Sequence, residues 1–193
     1  MSISPPGSLK VTLRTIFHYV ASSCRLAIFM GAGDVIMQTY NASNKDRKEI
    51  DWIRTVKFAT IGFCFMGPVL TYWKSIVNKF IVVEQTRTTR IVQQMFCDQV
   101  YLAPCLNLGI ITMSGLVEHE SVTAIEKRIG EFFPCIIKKH YMLWPGVQFF
   151  GSKCIQPSLQ ISFANTIAVI WYAYLSGILH KDQILQKANL EYN

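Results

Sequence analysis

The stretch from Cys154 to Leu179 contains no Asp, Glu, Lys, Arg or His. Two further runs, Gln99 to Val117 and Phe58 to Trp73, also lack Asp, Glu, Lys and Arg. A shorter one, Leu26 to Gly33, reaches Tyr40 if Asp34 is tolerated. A helix needs about 20 mostly apolar residues to cross a bilayer. The two longest runs meet that unaided. The other two meet it if one or two ionisable residues lie at or inside the span. None has the polar face that a soluble amphipathic helix shows. Only 16% of the chain is charged, against about 25% in soluble domains. The expected fold is therefore all-α: a multi-pass transmembrane bundle of about four spanning helices plus an amphipathic interface helix. It is expected as one integral-membrane domain over residues 1–193.

Breakers and charges mark the boundaries. Residues 1–8 carry Pro5 and Pro6 and read as a flexible arm. A first helix is expected from about Leu9 through Met37, and the polar segment Asn41 to Asp51 is the first loop. A second helix runs from about Trp52 to Ile81 and is kinked at Gly67-Pro68, because proline removes a helix hydrogen bond. A third runs from about Ile91 to Val117 with Pro104 inside it. Residues 118–139 mix acids and bases and read as a charged amphipathic helix, ended or bent at Pro134. Pro145 and Pro157 divide the apolar remainder, leaving open whether it holds one span or a span plus a fifth element. With four crossings, the N-terminal arm, the 74–90 link and the C-terminus share one side. The basic residues then split almost equally between the two sides, so positive-inside bias assigns no orientation.

The net charge of +7 sits on residues that flank the apolar runs, such as Lys74, Lys79, Arg87 and Arg90. That pattern suits anionic lipid headgroups. No recognition helix or zinc-finger spacing points to nucleic acid. The six cysteines form no C-x-x-C pair, so no metal or redox site is read from spacing; they read as small buried hydrophobes. Residues 1–33 carry Lys10, Arg14 and Arg25 and no acid, a composition similar to a mitochondrial presequence.

The polar residues inside the runs raise the functional question. Asp34 and Gln38 are four apart and share a helix face. Gln94 and Asp98 repeat the pairing in reverse, Gln99 follows, and Gln148 lies just after Trp144-Pro145. An ionisable residue at membrane depth costs roughly 2.5–3.5 kcal/mol even on insertion scales, and it faces the bundle interior or water. Two readings stay open: these residues line a polar path, or they hold helices in order by hydrogen bonding. Gly31-Ala32-Gly33-Asp34 is not a dinucleotide loop, since Ile36 stands where the third glycine belongs. It resembles the G-x-G-D element of intramembrane aspartyl proteases, with Asp98 as the second carboxylate of a proton-sharing pair. The order of the two aspartates is reversed, however, and no Pro-Ala-Leu element is present.

"GAGDVIMQ", "DWIRTVKFATIGFCFMGPVLTYW", "FCDQVYLAP", "LWPGVQFF" and "IAVIWYAYLS" occur in that order. Together they resemble the Mpv-seventeen family, which includes the twenty-two-kilodalton peroxisomal membrane protein. Gly33, Asp34 and Gln38 match its first-helix motif. Asp51 and Arg54 match the entry to the second helix, and Gly62, Gly67, Pro68 and Trp73 match its body. Asp98, Gln99 and Pro104 match the third; Trp144, Pro145, Gln148, Trp171, Leu175 and Ser176 match the C-terminal signature. Gly151-Ser152, Gln160, Tyr172 and Lys74 depart from the family pattern, so the chain resembles a divergent member.

The resemblance implies a small protein of the mitochondrial inner membrane, or alternatively of the peroxisomal membrane. It implies a weakly selective pore for small metabolites that supports mitochondrial DNA maintenance and resistance to oxidative stress. It implies no enzymatic activity, cofactor or metal. The expected pore lining is Asp34, Gln38, Gln94, Asp98, Gln99 and Gln148. The expected partners are anionic lipids, small solutes and a second copy of the chain, with no nucleic acid. The alternative is an assembly or scaffold factor that docks soluble machinery, for example that of mitochondrial translation, through Lys45, Arg47 and Lys48.

Overall fold

The computed structural model describes residues 7–43, 49–80 and 86–180. Most of the N-terminal segment expected as an arm, the basic residues Lys45, Arg47 and Lys48, and residues 181–193 lie outside the described residues. Every regular element within them is helical. Helix α1 is Gly7–Ser43. The second rod is α2 (Trp52–Ile61) continued by α3 (Gly67–Phe80), and the third is α4 (Arg87–Cys97) continued by α5 (Ala103–Val117). Helix α6 is Val122–Cys154 and α7 is Pro157–Leu179. Four rods are long and apolar enough to cross a membrane: Leu13–Ala42, Trp52–Phe80, Thr88–Val117 and Pro157–Leu179.

Local chemistry accounts for the helix ends. Asp51 accepts a hydrogen bond from the Arg54 amide at 3.1 Å and starts α2. Thr86 and Ser121 cap α4 and α6 in the same way, each satisfying one of the orphan amides of a first turn. Pro157 opens α7, where its missing N–H costs nothing.

The second and third rods share one irregularity. Each contains a five-residue π-turn, Gly62–Met66 and Asp98–Leu102, and each π-turn ends two residues before a proline, Pro68 and Pro104. Proline lacks the N–H for the ordinary ladder and its ring crowds the carbonyl four residues back. Widening the turn by one residue relieves that crowding. The expected kink at Gly67-Pro68 therefore takes the form of a wide turn, which also rotates the preceding residues relative to a regular helix.

Helix α6 differs from the sequence expectation. Residues 118–139 do not form a separate element: the helix continues through Pro134 and Pro145 to Cys154. Its contacts step down the full length of the third rod. Arg128 donates to Ser114 at 3.2 Å, Asn107 and His140 Nδ1 lie 3.2 Å apart, Gln148 donates to Asp98 at 3.0 Å, and Lys153 donates to Thr88 at 2.6 Å. On its other side Arg128 donates to the Leu179 carbonyl at the end of α7, and Phe150 meets Phe163 near the start of α7. Helix α6 thus carries the chain back through the bundle. Its Lys139 lies over the Tyr174 ring at 4.8 Å, with a long apolar stem that can lead the ammonium toward water.

This path alters the expected sidedness. Helices α1 and α7 run parallel, since Gly33 meets Tyr172 and Ala173 while Gly177 meets Met37. Their ends therefore point the same way, which four crossings would forbid. The close approach requires glycine. A Cβ on Gly33 would stand 2.7 Å from the Ala173 nitrogen, and one on Gly62 would stand 2.7 Å from the Leu26 carbonyl oxygen. Small residues permit such contacts between membrane helices.

The exterior is apolar and the interior partly polar. Phe17, Ile28, Ile53, Phe96, Ile161 and Ile170 are exposed, whereas Asp34, Arg54, Asp98, Asn107 and Ser176 are buried. A soluble bundle would reverse this. The core is formed by Met30, Phe58, Ile61, Met66, Ile110, Ile111, Ile136 and Leu175, among others. The cysteines are not in it: five are exposed and Cys97 is half-buried.

Single cysteines placed at Glu49, Thr86, His119 and Gln156 in a cysteine-free background will test the path of α6 in sealed vesicles. Glu49 and His119 are expected to react with an impermeant maleimide from one side, and Thr86 and Gln156 from the other. Labelling of Gln156 from the same side as His119 would contradict a crossing by α6.

Candidate functional site

Two polar clusters lie inside the bundle. The first joins α1, α2 and α7. Asp34 is fully buried, and Arg54 reaches its Oδ1 with both Nε and Nη2 at 2.9 Å. Ser176 donates to the same oxygen and accepts from Arg54 Nη2 at 2.7 Å. The other oxygen, Oδ2, accepts from Gln38 Nε2 and from Thr55 Oγ1, each at 2.7 Å. Gln38 also accepts from the Asp51 amide at 2.7 Å and donates to the Asp51 carbonyl at 3.1 Å. The carboxylate is thus held by four side chains from three helices. Sequence reasoning named Asp34, Gln38, Asp51, Arg54 and Ser176; it missed Thr55, whose place one turn beyond the Asp51 cap was the available signal.

The second cluster lies at the π-turn of the third rod. Asp98 Oδ1 accepts from Trp73 Nε1 at 2.6 Å, and Oδ2 accepts from Gln148 Nε2 at 3.0 Å. Asp98 and Asp34 therefore engage separate partners. Among the described residues no hydrogen bond joins them, and the shared-proton pair of an aspartyl protease is not formed.

Beside Asp98 lies a cavity of about 330 Å³, toward the lower end of the range for small-molecule sites. Gln94, Asp98, Gln99 and Gln148 border it; Asp34 and Gln38 do not. Its walls also include Trp73, Trp144 and Trp171, which the sequence marked as family-motif positions. Trp144 and Trp171 meet edge to face at 6.5 Å. Sequence reasoning missed Arg25, Asn107, His140 and Asn165, which also border the cavity, and named Lys74 only as a lipid-facing charge and a departure from the family pattern. Asn107 and His140 look unremarkable singly and acquire a role only where α5 meets α6.

The two clusters stand at different depths. Along α1 the cavity residues end at Phe29 and the ion pair begins at Asp34. Along α7 they end at Tyr172 and Ser176 follows. Along the second rod the cavity spans Met66 to Lys74, while Arg54 lies a dozen residues earlier. At 1.5 Å per residue, the ion pair lies beyond the cavity toward one end of the bundle, with Phe58, Ile61 and Leu175 packed near it.

His180 follows α7 at that same end. It is buried, meets Phe58 edge-on with ring centroids 5.9 Å apart, and places Nδ1 3.0 Å from the Ser176 carbonyl. Burial, reinforced by the Arg54 cation, pushes its imidazole down to about 4.

The region 115–176 matches the model of the Mpv17 / PMP22 family. The chain is 30% identical to the mitochondrial inner membrane protein Mpv17 of Drosophila melanogaster, over 87% of this chain and 99% of that protein. It is 32% identical to the protein of the same name in Danio rerio, over 79% and 84% of the two chains. PXMP2/4 family protein 2 of Dictyostelium discoideum is 27% identical over 90% and 91%. No solved structure matches.

Two predictions follow from the buried cluster. Removing one partner of a buried ion pair costs about 3–5 kcal/mol, because the other charge is left uncompensated. Arg54→Leu should therefore destabilise the detergent-solubilised protein by that order. Asp34→Asn combined with Arg54→Leu should cost clearly less than Arg54→Leu alone, measured by unfolding midpoints. For His180, the unfolded chain binds a proton near pH 6.5 and the folded chain only near 4. Stability should fall as pH drops through that window and stay flat above it. His180→Gln should flatten the thermal-melt profile between pH 6.5 and 4.

Proposed function

Because the chain belongs to the Mpv17 / PMP22 family, we propose that it is a protein of the mitochondrial inner membrane that supplies a weakly selective path for small metabolites. The inner-membrane assignment rests on the relatives' names, and the PXMP2/4 relative keeps the peroxisomal membrane as the alternative. The observation that carries the pore reading is a cavity with polar walls inside a bundle whose outer surface is apolar. Polar groups at membrane depth are costly, so walls bearing Asp98, Gln94, Gln99 and Gln148 suit a water-accessible space.

In this reading Asp98 sets charge preference. Trp73 and Gln148 orient its carboxylate from two other helices. The Asp34–Arg54–Ser176 cluster closes the opposite end of the path, since it ties together the three helices that would have to part. Such a path supports the exchange of small metabolites on which mitochondrial homeostasis, including DNA maintenance and resistance to oxidative stress, depends.

Purified protein in planar bilayers is expected to show discrete conductance. Asp98→Asn should lower the preference for cations over anions several-fold, measured as a shift in reversal potential under a salt gradient. Asp34→Asn should act instead on open probability. A correctly folded sample with no conductance at any voltage would overturn the pore reading.

A further inference from the structure

The cavity carries unused hydrogen-bonding capacity of a particular kind. Gln99 Oε1 and Gln148 Oε1, two acceptors, have no partner, and neither does Trp144 Nε1, a donor. All three atoms are buried, and all three residues border the cavity. A buried polar atom left unpaired is destabilising, so three around one space call for an occupant. The deep wall is also acidic, because Asp98 is 9% exposed and is held in place by Trp73 and Gln148. Two cationic side chains, Arg25 and Lys74, are exposed residues on the same lining.

We propose that this cavity is a binding site for a small zwitterionic solute of amino-acid size. The site deepens the pore reading by giving the path a preferred substrate class. The solute's ammonium group donates to Asp98 and to the amide oxygens of Gln99 and Gln148 after small side-chain rotations. Its anionic group faces Lys74 and Arg25. Its apolar part lies among the aromatic walls, where an indole face also attracts an ammonium group. A simple amine lacks a partner for the two cations, and a simple carboxylate meets Asp98 with like charge. Both should bind less well than a solute carrying both groups. The volume of about 330 Å³ suits one such molecule.

The indoles supply the probe. The chain has four tryptophans, of which Trp73, Trp144 and Trp171 border the cavity and Trp52 is exposed. The full chain bearing Trp52→Phe, in lipid nanodiscs, would be titrated with leucine, serine and glutamine. Isopentylamine and 4-methylpentanoate, which share leucine's skeleton without its carboxylate or its ammonium, are the controls. At least one amino acid is expected to change the fluorescence saturably. Leucine should bind at least tenfold more tightly than either control if it is that ligand. Asp98→Asn should weaken amino-acid binding about tenfold. Lys74→Gln, at an exposed position where folding should survive, should weaken it several-fold without affecting isopentylamine.

No saturable response to any amino acid, or equal binding of the amine or the carboxylate, would overturn the site. So would a response set by lipid chain length alone, which would make the cavity a lipid cleft. Saturable binding without conductance would leave the site standing and remove the pore. Conductance without saturable binding would do the reverse.

Discussion

The buried contact between Asp34 and Arg54 organises the bundle. A charge in an apolar interior is tolerated only with a partner and satisfied hydrogen bonds. Here every oxygen of the carboxylate is engaged, by groups from α1, α2 and α7. These bonds join all three helices at one carboxylate, so a slip of any one of them would break part of the cluster. The glycines make this arrangement possible. Gly33 lets α7 approach the backbone of α1 one residue from Asp34, and Gly62 lets the second rod approach Leu26.

The second organising device is the repeated π-turn before proline. In a membrane, freed backbone groups must be satisfied within the protein, and a wide turn accomplishes this without breaking the helix. In the third rod the turn begins at Asp98. The carboxylate meets an indole from α3 and an amide from α6, and the cavity lies beside this junction. The two aspartates thus act differently despite similar settings in sequence. Asp34 has a guanidinium partner and does not border the cavity at Asp98, whereas Asp98 has two neutral donors and lines that cavity.

Much of the architecture was legible in the chain itself. The charge-free runs identified four spanning rods, and Asp51, Pro68 and Pro104 marked real features of the helices. The ion-pair cluster was partly legible, because Asp34 with Gln38 and Asp51 with Arg54 stand at helical spacings. Their pairing with Ser176, far along the chain, was not. The charged segment 118–139 was legible as an amphipathic helix, with Ile125, Phe132 and Ile136 buried and Glu126, Lys127, Glu131, Lys138 and Lys139 exposed, but its continuation through Pro134 to Cys154 was not. Its Arg128 finds Glu120, Ser114 and the Leu179 carbonyl. Trp73, Trp144 and Trp171 stood out in the sequence as family-motif positions, and the fold brings all three to the cavity wall.

Local composition determined that this chain forms apolar helices for lipid, how many are long enough to cross, and which polar residues they must hide. Those outcomes depend on hydropathy, proline chemistry and spacing within one helix, all of which operate over short stretches of chain. Tertiary structure decided which polar residues meet, that α6 returns through the bundle, and that Asp98 rather than Asp34 lines the cavity between the third rod and α6. These outcomes depend on which helix faces are pressed together. That is settled by pairing buried charges and by close packing at glycine, across residues that no local pattern connects.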